Sequence, residues 1–535
     1  MLTSHQNAFV AGVLLLGAVL SQVPPPAPAP APPEPAKPKV ELKLTLQEAI
    51  QIAVRNHLDL VVQQFNREIA ERDLIVAKAT FDPFFNLSAS YGKNRDPVVD
   101  QFTQVSLIPV AGIGVNPSSV GSVRGGFRGL SRIGTSYQLS LVESRFSNPA
   151  ATALSINPRY ATRAEATLTQ PLLKDGWFAF NLAGVKTAEN SIRLADEQLE
   201  LIAIETVFAV EGAYWELVFA QKNYESKLRA IEVANEQLRI DRRKTEVGTK
   251  AGIDITTSEA QVARRQSELD RAESLVEAAR DQLLDAMNYV GVDDSLKARV
   301  GKAGAGKPYE KYSDLRVIPT GVATPDRVVV DRNQAVQKAI DARVEIRQLD
   351  LQIQNQEYAV GSARNQLLPA LDLTATWSQL GLQGNTANSL QELETGRYYD
   401  WFVGAVFEIP LTRRGPRARL RGEEEFLRRL RVERQRLENT ILLEVDKSIR
   451  DLEFTHRAVE NLRRQEELQE ALVKAERTRL DTGKSIAYTV AQIENDLIAI
   501  QAQRLRAGAD FEIAKAVYER AVGELLRRRG VDLGK

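Results

Sequence analysis

The stretch of sequence that decides the fold occurs twice. Residues 73–91 read DLIVAKATFDPFFNLSASY, and residues 359–377 read AVGSARNQLLPALDLTATW. A shift of 286 positions aligns Ala77 with Ala363 and Pro83 with Pro369. After each proline, apolar and polar residues alternate, which predicts a strand with one apolar and one polar face. An internal repeat of this kind predicts two copies of one structural unit.

The repeat extends in both directions from these stretches. Residues 46–91 fall on 332–377 without a gap, and QPLL at 170–173 parallels IPL at 409–411. Further on, Val247-Gly248 parallels Thr482-Gly483, after which a shift of 235 continues the match. Each half therefore reads helix, strand, strand, long helix, tight glycine turn, helix.

The predicted helices carry a coiled-coil pattern. Apolar residues recur alternately three and four positions apart over 207–238, 269–290 and 490–525. This spacing requires a partner helix and a left-handed supercoil, so the charged residues in between are interpreted as solvated faces. In each half two shorter helices together match one long helix, which predicts columns roughly 110 Å long. The predicted helices are 45–80, 254–290, 332–367, 411–482, 487–524 and one long helix between Pro171 and Gly248.

The predicted strands are short and few. An apolar face opposite a mostly polar face fits a barrel with lipid outside and water inside, but it also fits a half-buried soluble sheet. Since about eight strands are the minimum for a barrel, the chain must share its barrel with other copies, or the strands form no barrel. An insertion over 93–160 is expected to add a hairpin to the barrel or its outer rim, in which 120–130 pairs with 135–143. The remaining strands are predicted at about 84–92, 163–170, 370–377 and 400–409.

Composition excludes several classes of function. The 535 residues contain 70 Lys plus Arg and 70 Asp plus Glu, and this balance argues against nucleic acid as the main partner. There is no cysteine and there are three histidines, which leaves little for a thiolate, a metal site or a Ser-His-Asp site. No GxxxxGK[ST] loop for nucleotides occurs in the sequence. We therefore predict a protein that is not an enzyme and has no cofactor and no metal.

The chain divides into five segments. Ala8 to Leu20 is an apolar run of the length of a signal peptide, with an uncleaved anchor as the alternative. The predicted boundaries are a signal peptide at 1–21, a Pro/Ala-rich linker at 22–41, a first repeat at 42–300, an inter-repeat segment at 301–330 and a second repeat at 331–527.

The duplicated unit, with proline ending the strand and glycine at the coiled-coil tip, resembles the TolC-type outer-membrane efflux protein family over about 42–527. The resemblance implies a mixed α and β, predominantly α fold. Three copies would form a twelve-stranded outer-membrane β-barrel, continued by a periplasmic α-helical coiled-coil barrel. It also implies a passive channel for efflux or type I secretion, partnered by outer-membrane lipid, a periplasmic adaptor (membrane fusion protein) and an inner-membrane transporter. The chain would then lie in the bacterial outer membrane, with most of its length in the periplasm.

The resemblance also implies which residues contact the partners. Those at the coiled-coil tips would dock the adaptor: Gly248, Thr249, Lys250, Ala251, Gly252, Gly483, Lys484, Ser485 and Ile486. Candidates for the periplasmic entrance are Asp254, Thr489, Gln492, Glu494 and Asp496.

Two features of the family's entrance are absent from this sequence. The Tyr and Arg of the family's polar lock fall on Leu480 and Ser485, and its two entrance aspartates fall on Thr489 and Gln492. Cation selectivity is therefore not implied. The alternative to a channel is a periplasmic coiled-coil adaptor or scaffold protein.

Overall fold

The computed structural model of the chain describes residues 40–97, 115–148, 156–247, 252–288, 315–323, 326, 329–482 and 484–533. Within them the chain is predominantly helical with one large sheet, as predicted. The strands are β1 (Val40–Leu44), β2 (Phe84–Pro97), β3 (Val115–Leu130), β4 (Ser136–Ser147), β5 (Arg159–Pro171), β6 (Leu315–Pro319), β7 (Ala370–Gln383) and β8 (Tyr399–Glu408). The helices are α1 (Leu46–Asn56), α2 (Leu58–Ala79), α3 (Trp177–Asn181), α4 (Ala183–Glu246), α5 (Gly252–Ala286), α6 (Arg332–Ala342), α7 (Val344–Asn365), α8 (Thr386–Glu394), α9 (Arg414–Asp481), α10 (Ala487–Val522) and α11 (Leu525–Arg528).

Two long helices run the length of the helical part. Helix α4 has 64 residues and α9 has 68, so each extends for about 100 Å. Near the sheet the helices lie side by side in the order α2–α4–α7–α9. Toward the tips the order is α5–α4–α10–α9. Helices α4 and α9 therefore belong to both the layer near the sheet and the layer near the tips, and α9 lies at an edge of each layer.

The continuous helices predicted at 45–80 and 332–367 are wrong, because each is divided in two. The breaks fall at His57 and Arg343, where ψ is 118° and 127°. These positions are 286 residues apart, which is the shift of the sequence repeat. Helix α1 packs Ile50 into the central core, whereas α2 packs Leu60 against α4. Both helices contact α4, and no glycine or proline marks the change of direction between them.

The core lies at the middle of the columns, where α1 and α5 end against α4. Tyr214 is fully buried there; its hydroxyl donates to the Leu44 carbonyl at 3.2 Å and accepts from the Gly321 N–H at 2.8 Å. The tyrosine thereby fixes the small parallel sheet of β1 and β6 to the long helix. Both strands were missed in the sequence, since β1 begins inside the predicted linker and β6 lies in the predicted inter-repeat segment at 301–330.

The large sheet has the strand order β2-β3-β4-β5-β7-β8, and all neighbours are antiparallel. The expected hairpin is present as β3 and β4, and it lies between β2 and β5. Strands β2 and β5 are longer than predicted and extend to Pro97 and from Arg159. The predicted signal peptide, most of the linker, and residues 248–251 and 483 lie outside the described residues.

Candidate functional site

One face of the large sheet is apolar and exposed across all six strands. Trp401 is 71% exposed, Leu87 69% and Phe127 51%. Because directly opposed residues of antiparallel strands point to the same side, the registers place these side chains on one face. Its large apolar members, all at least 40% exposed, are Phe85, Leu87, Tyr91, Val123, Phe127, Leu139, Leu141, Leu168, Leu373, Trp377, Tyr399, Trp401, Val403 and Phe407.

The opposite face of the same sheet is mostly polar. Ser90 and Ser122 share a hydrogen bond of 2.9 Å across β2 and β3. Arg163 of β5 donates to Ser378 of β7 at 3.2 Å. Other members of this face are Asn86, Ser88, Arg124, Arg128, Gln138, Ser140, Glu165, Thr167, Thr374 and Thr376. A wall that is apolar on one side and polar on the other suits a boundary between lipid and water.

Helix α8, in the connection between β7 and β8, covers the end of the sheet far from the columns. Ser389 is fully buried and shares a hydrogen bond of 2.7 Å with Thr162. Gly381 lies beneath this helix, where a Cβ would overlap the carbonyl oxygen of Ser389. The glycine therefore allows α8 to lie directly on β5 and β7.

One ion pair joins the two helices of each coiled-coil tip. Arg242 lies 2.8 Å from Glu259 between α4 and α5, and Arg477 lies 2.6 Å from Glu494 between α9 and α10. The two pairs are related by the 235-residue shift of the repeat. Glu494, predicted at the entrance, is thus an ion-pair partner that closes its own hairpin.

A buried carboxylate lies beside each of these pairs. Asp241 is 2% exposed and accepts a hydrogen bond from Ser258 at 2.7 Å. Glu476, one repeat later, is 6% exposed and accepts from Ser485. Ser485, which is predicted to dock an adaptor, therefore also forms a hydrogen bond within its own hairpin.

The other predicted site residues are spread around the tips. Lys484, Ile486, Gln492 and Asp496 are exposed and Thr489 is partly buried. Gly252 begins α5, and Asp254 lies in its first turn. The described members of this set share only their location at this end of the columns.

A buried ionic cluster near the middle of the columns was missed by the sequence analysis. Arg529, just after α11, lies 2.5 Å from Glu211 of α4 and 2.9 Å from Glu519 of α10, and both glutamates are 1% exposed. Burial raises the pKa of the Glu211 carboxyl, while the hydrogen bond and the charge of Arg529 act in the opposite direction. In the sequence these glutamates look like the solvated charges of a coiled coil.

None of the helices described here has the length and apolar character needed to cross a bilayer. Nor do the described His, Asp and Glu residues form a group of three that could hold a metal ion.

Comparison with known proteins gives one family and several solved structures. Residues 335–524 match the sequence model of the family described as outer membrane efflux protein. The outer-membrane channel OprN is 15% identical; the match covers 90% of each chain with a TM-score of 0.60. None of the curated proteins compared with the chain matches it.

Two further channel structures match to a similar degree. The Campylobacter jejuni CmeC outer membrane channel is 15% identical, and 90% of this chain covers 86% of it with a TM-score of 0.57. The open state of the Neisseria gonorrhoeae MtrE outer membrane channel is also 15% identical, with 90% and 89% covered and a TM-score of 0.58. At these identities the likeness shows the fold, which extends over nearly the whole chain.

Proposed function

Because this chain carries an outer membrane efflux protein domain at residues 335–524 and has the fold of outer-membrane channels, we propose that it is a passive exit duct for exported molecules. The exposed apolar face of the sheet carries the proposal. A water-soluble protein rarely exposes so large a contiguous apolar surface, and a sheet with a polar reverse side can serve as the wall of a pore. The columns then extend from the membrane into the periplasm. No catalytic role is part of this function.

The duct is a ring of identical chains, and three copies are what the resemblance implies. A single chain leaves strands β2 and β8 without a neighbour on one side, and unpaired strand edges favour pairing with another chain. The helices that adjoin these strands, α2 and α9, form the edges of the helical layer. Each chain therefore presents β2 and α2 on one side, and β8 and α9 on the other side.

The two helical edges carry apolar side chains that a neighbour can cover. On α2, Phe65 is 45% and Ile69 58% exposed, on the side opposite Leu60, which packs against α4. On α9, Leu443 is 67% and Phe454 66% exposed. Contacts between two different edges are head-to-tail, and such contacts close into a ring when the rotation fits.

Energy for transport comes from a partner in this proposal. A periplasmic adaptor docks on the coiled-coil tips and joins the duct to an inner-membrane transporter, in an efflux or type I secretion system. The tips suit docking because they are the part of the columns farthest from the sheet, and Lys484 and Ile486 are exposed there.

Cell fractionation tests the location. The proposal predicts that the mature chain is found in the outer-membrane fraction and is released only by detergent. Recovery from the soluble periplasmic fraction would instead favour the alternative of a coiled-coil adaptor or scaffold, which no observation in the structure supports.

The tip residues allow a direct test of docking. Replacing Lys484 with Glu and Ile486 with Asp is expected to weaken binding of the adaptor by about tenfold or more, because a few residues commonly carry most of the binding energy of an interface. The measurement is co-purification of a periplasmic adaptor from the cells that make this chain, with export of the cargo as a second readout. The matched control is Arg463→Glu, an exposed arginine of α9 away from the tip. Equal loss of binding in both variants, or in neither, would reject the assignment of the tip.

A further inference from the structure

The sheet has more strands than the resemblance implies. A twelve-stranded barrel built from three copies takes four strands from each chain, whereas this chain has six in one sheet. The additional strands, β3 and β4, come from the insertion at 93–160. They are inserted within the sheet and do not extend it at an edge, since β3 pairs with β2 and β4 pairs with β5.

The inserted hairpin is paired along its full length. Strand β2 is in register with β3 from Phe84 to Pro97, and β4 is in register with β5 from Ser136 to Phe146. The hairpin also has the same two faces as the rest of the sheet. Phe127 contacts Phe85 on the apolar face with ring centroids 5.2 Å apart, and Ser122 bonds to Ser90 on the polar face. By pairing and by chemistry, β3 and β4 are part of the wall.

The stagger of the six strands is that of a closed barrel. The row of opposed residues that starts at Phe84, the first residue of β2, runs through Arg128, Gln138, Thr167 and Thr376 to Phe402. Strand β8 ends at Glu408, so the row rises by 408 − 402 = 6 residues over the five spacings of the sheet. With about 3.3 Å per residue and about 4.8 Å between strands, the tilt is about 40°. Strands in closed barrels tilt by about 35–45°.

The two ends of the sheet are complementary. Six strands that alternate in direction leave β2 and β8 antiparallel to each other, so β8 of one copy can pair with β2 of the next without breaking the alternation. Three copies then give eighteen strands, an even number in which each strand has two antiparallel neighbours.

We propose that three copies of this chain close an eighteen-stranded barrel, in which β8 of each copy pairs with β2 of the next. The inference rests on the proposed function and specifies its pore. Because barrel diameter grows roughly linearly with strand number, the outer-membrane part of the duct is about one and a half times as wide as a twelve-stranded barrel. Barrels of 16–18 strands enclose an aqueous channel, so this part of the duct admits solutes that a narrower barrel would exclude.

Cysteine chemistry tests both parts of the inference, since the natural chain contains no cysteine. The first test joins the edges. Asn86 of β2 and Val406 of β8 lie on the polar face, each two residues from its strand end nearest the columns. In Asn86→Cys/Val406→Cys, oxidation is expected to link copies into dimers and trimers on a denaturing gel. Neither single variant can form this series of linked dimers and trimers. Two further pairs, in which the cysteine of β8 is at 404 or 402 in place of 406, allow for a shift in register.

The second test asks whether the hairpin is in the wall. Leu139 and Gln138 are consecutive residues of β4, and both are exposed in the single chain, but they lie on the apolar and the polar face. In intact outer membranes, Leu139→Cys is expected to react with a water-soluble maleimide about tenfold more slowly than Gln138→Cys, because lipid covers the apolar face. Leu87→Cys and Asn86→Cys in β2 are the matched reference pair.

The outcomes separate the inference from the function on which it rests. Equal labelling at 138 and 139, with the expected contrast at 86 and 87, would place the hairpin outside the wall and overturn the eighteen-stranded barrel. An outer-membrane oligomer that never links its edges at any of the three registers would also overturn it. In both cases the duct itself would stand. A chain absent from the outer membrane would remove the proposed function as well.

Discussion

Ile69→Glu is expected to convert the purified oligomer into monomers while leaving each chain folded. Ile69 is 58% exposed in the single chain and lies on α2 opposite the face that packs against α4. In the proposed ring, the neighbouring copy covers this side chain. An unpaired carboxylate in a buried interface costs about 3–5 kcal/mol, which weakens each contact by at least about a hundredfold.

Light scattering of the detergent-purified protein measures the mass, and circular dichroism measures the helix content. Gln64→Glu is the matched control, because Gln64 is also exposed on α2 but is turned away from the apolar row. An unchanged mass in Ile69→Glu would show that this side of α2 is not an interface. A loss of helix content would mean that the residue supports the fold of the chain itself.

The second large effect is expected from Arg529→Met. This change leaves the carboxylates of Glu211 and Glu519, both 1% exposed, without their shared arginine. Removing one partner of a buried ion pair costs about 3–5 kcal/mol. Here Glu211 stays buried without its arginine, whereas Glu519 keeps Arg528 at 3.3 Å. The thermal unfolding midpoint of the chain should therefore fall well below that of the natural protein. Arg527→Met, at an exposed position in the adjoining helix α11, is the control and should change the midpoint little.

The effect of Arg529→Met should depend on pH in a defined direction. Burial raises the pKa of the Glu211 carboxyl above its usual range, so the folded chain binds a proton more readily there than the unfolded chain does. The cost of the buried charge is thus fully present above the folded pKa and declines as pH falls through it. The difference in midpoint between Arg529→Met and the natural chain should be smaller at mildly acidic pH than at neutral pH. A difference that grows on acidification would contradict this account of the cluster.

Much of the architecture was predictable because it depends on periodic patterns. The spacing of Val207, Val210 and Tyr214 indicated a buried helical stripe, and all three side chains are fully buried. The alternation from Phe85 to Tyr91 placed a strand and identified which face is apolar. These patterns repeat the same residue types at fixed intervals, so they are visible without knowledge of the contacts.

Features that depend on single contacts between distant residues were not predictable. The breaks at His57 and Arg343 fall at residues that are not helix breakers, so the local sequence does not mark them. Glu211 and Arg529 are 318 positions apart, and their pairing exists only in the folded chain. The pairing of β1 with β6 likewise joins two five-residue strands that are far apart in the sequence. The position of the hairpin between β2 and β5 could not be predicted for the same reason, since the sequence indicated two extra strands but not their neighbours.

The most direct test of the whole account is single-particle electron microscopy of the full chain, purified from outer membranes into lipid nanodiscs. The account predicts a three-fold symmetric particle with a disc of lipid around a sheet of eighteen strands, from one side of which helical columns about 100 Å long project. Particles that contain one copy of the chain, or a ring in which lipid does not surround the sheet, would contradict it.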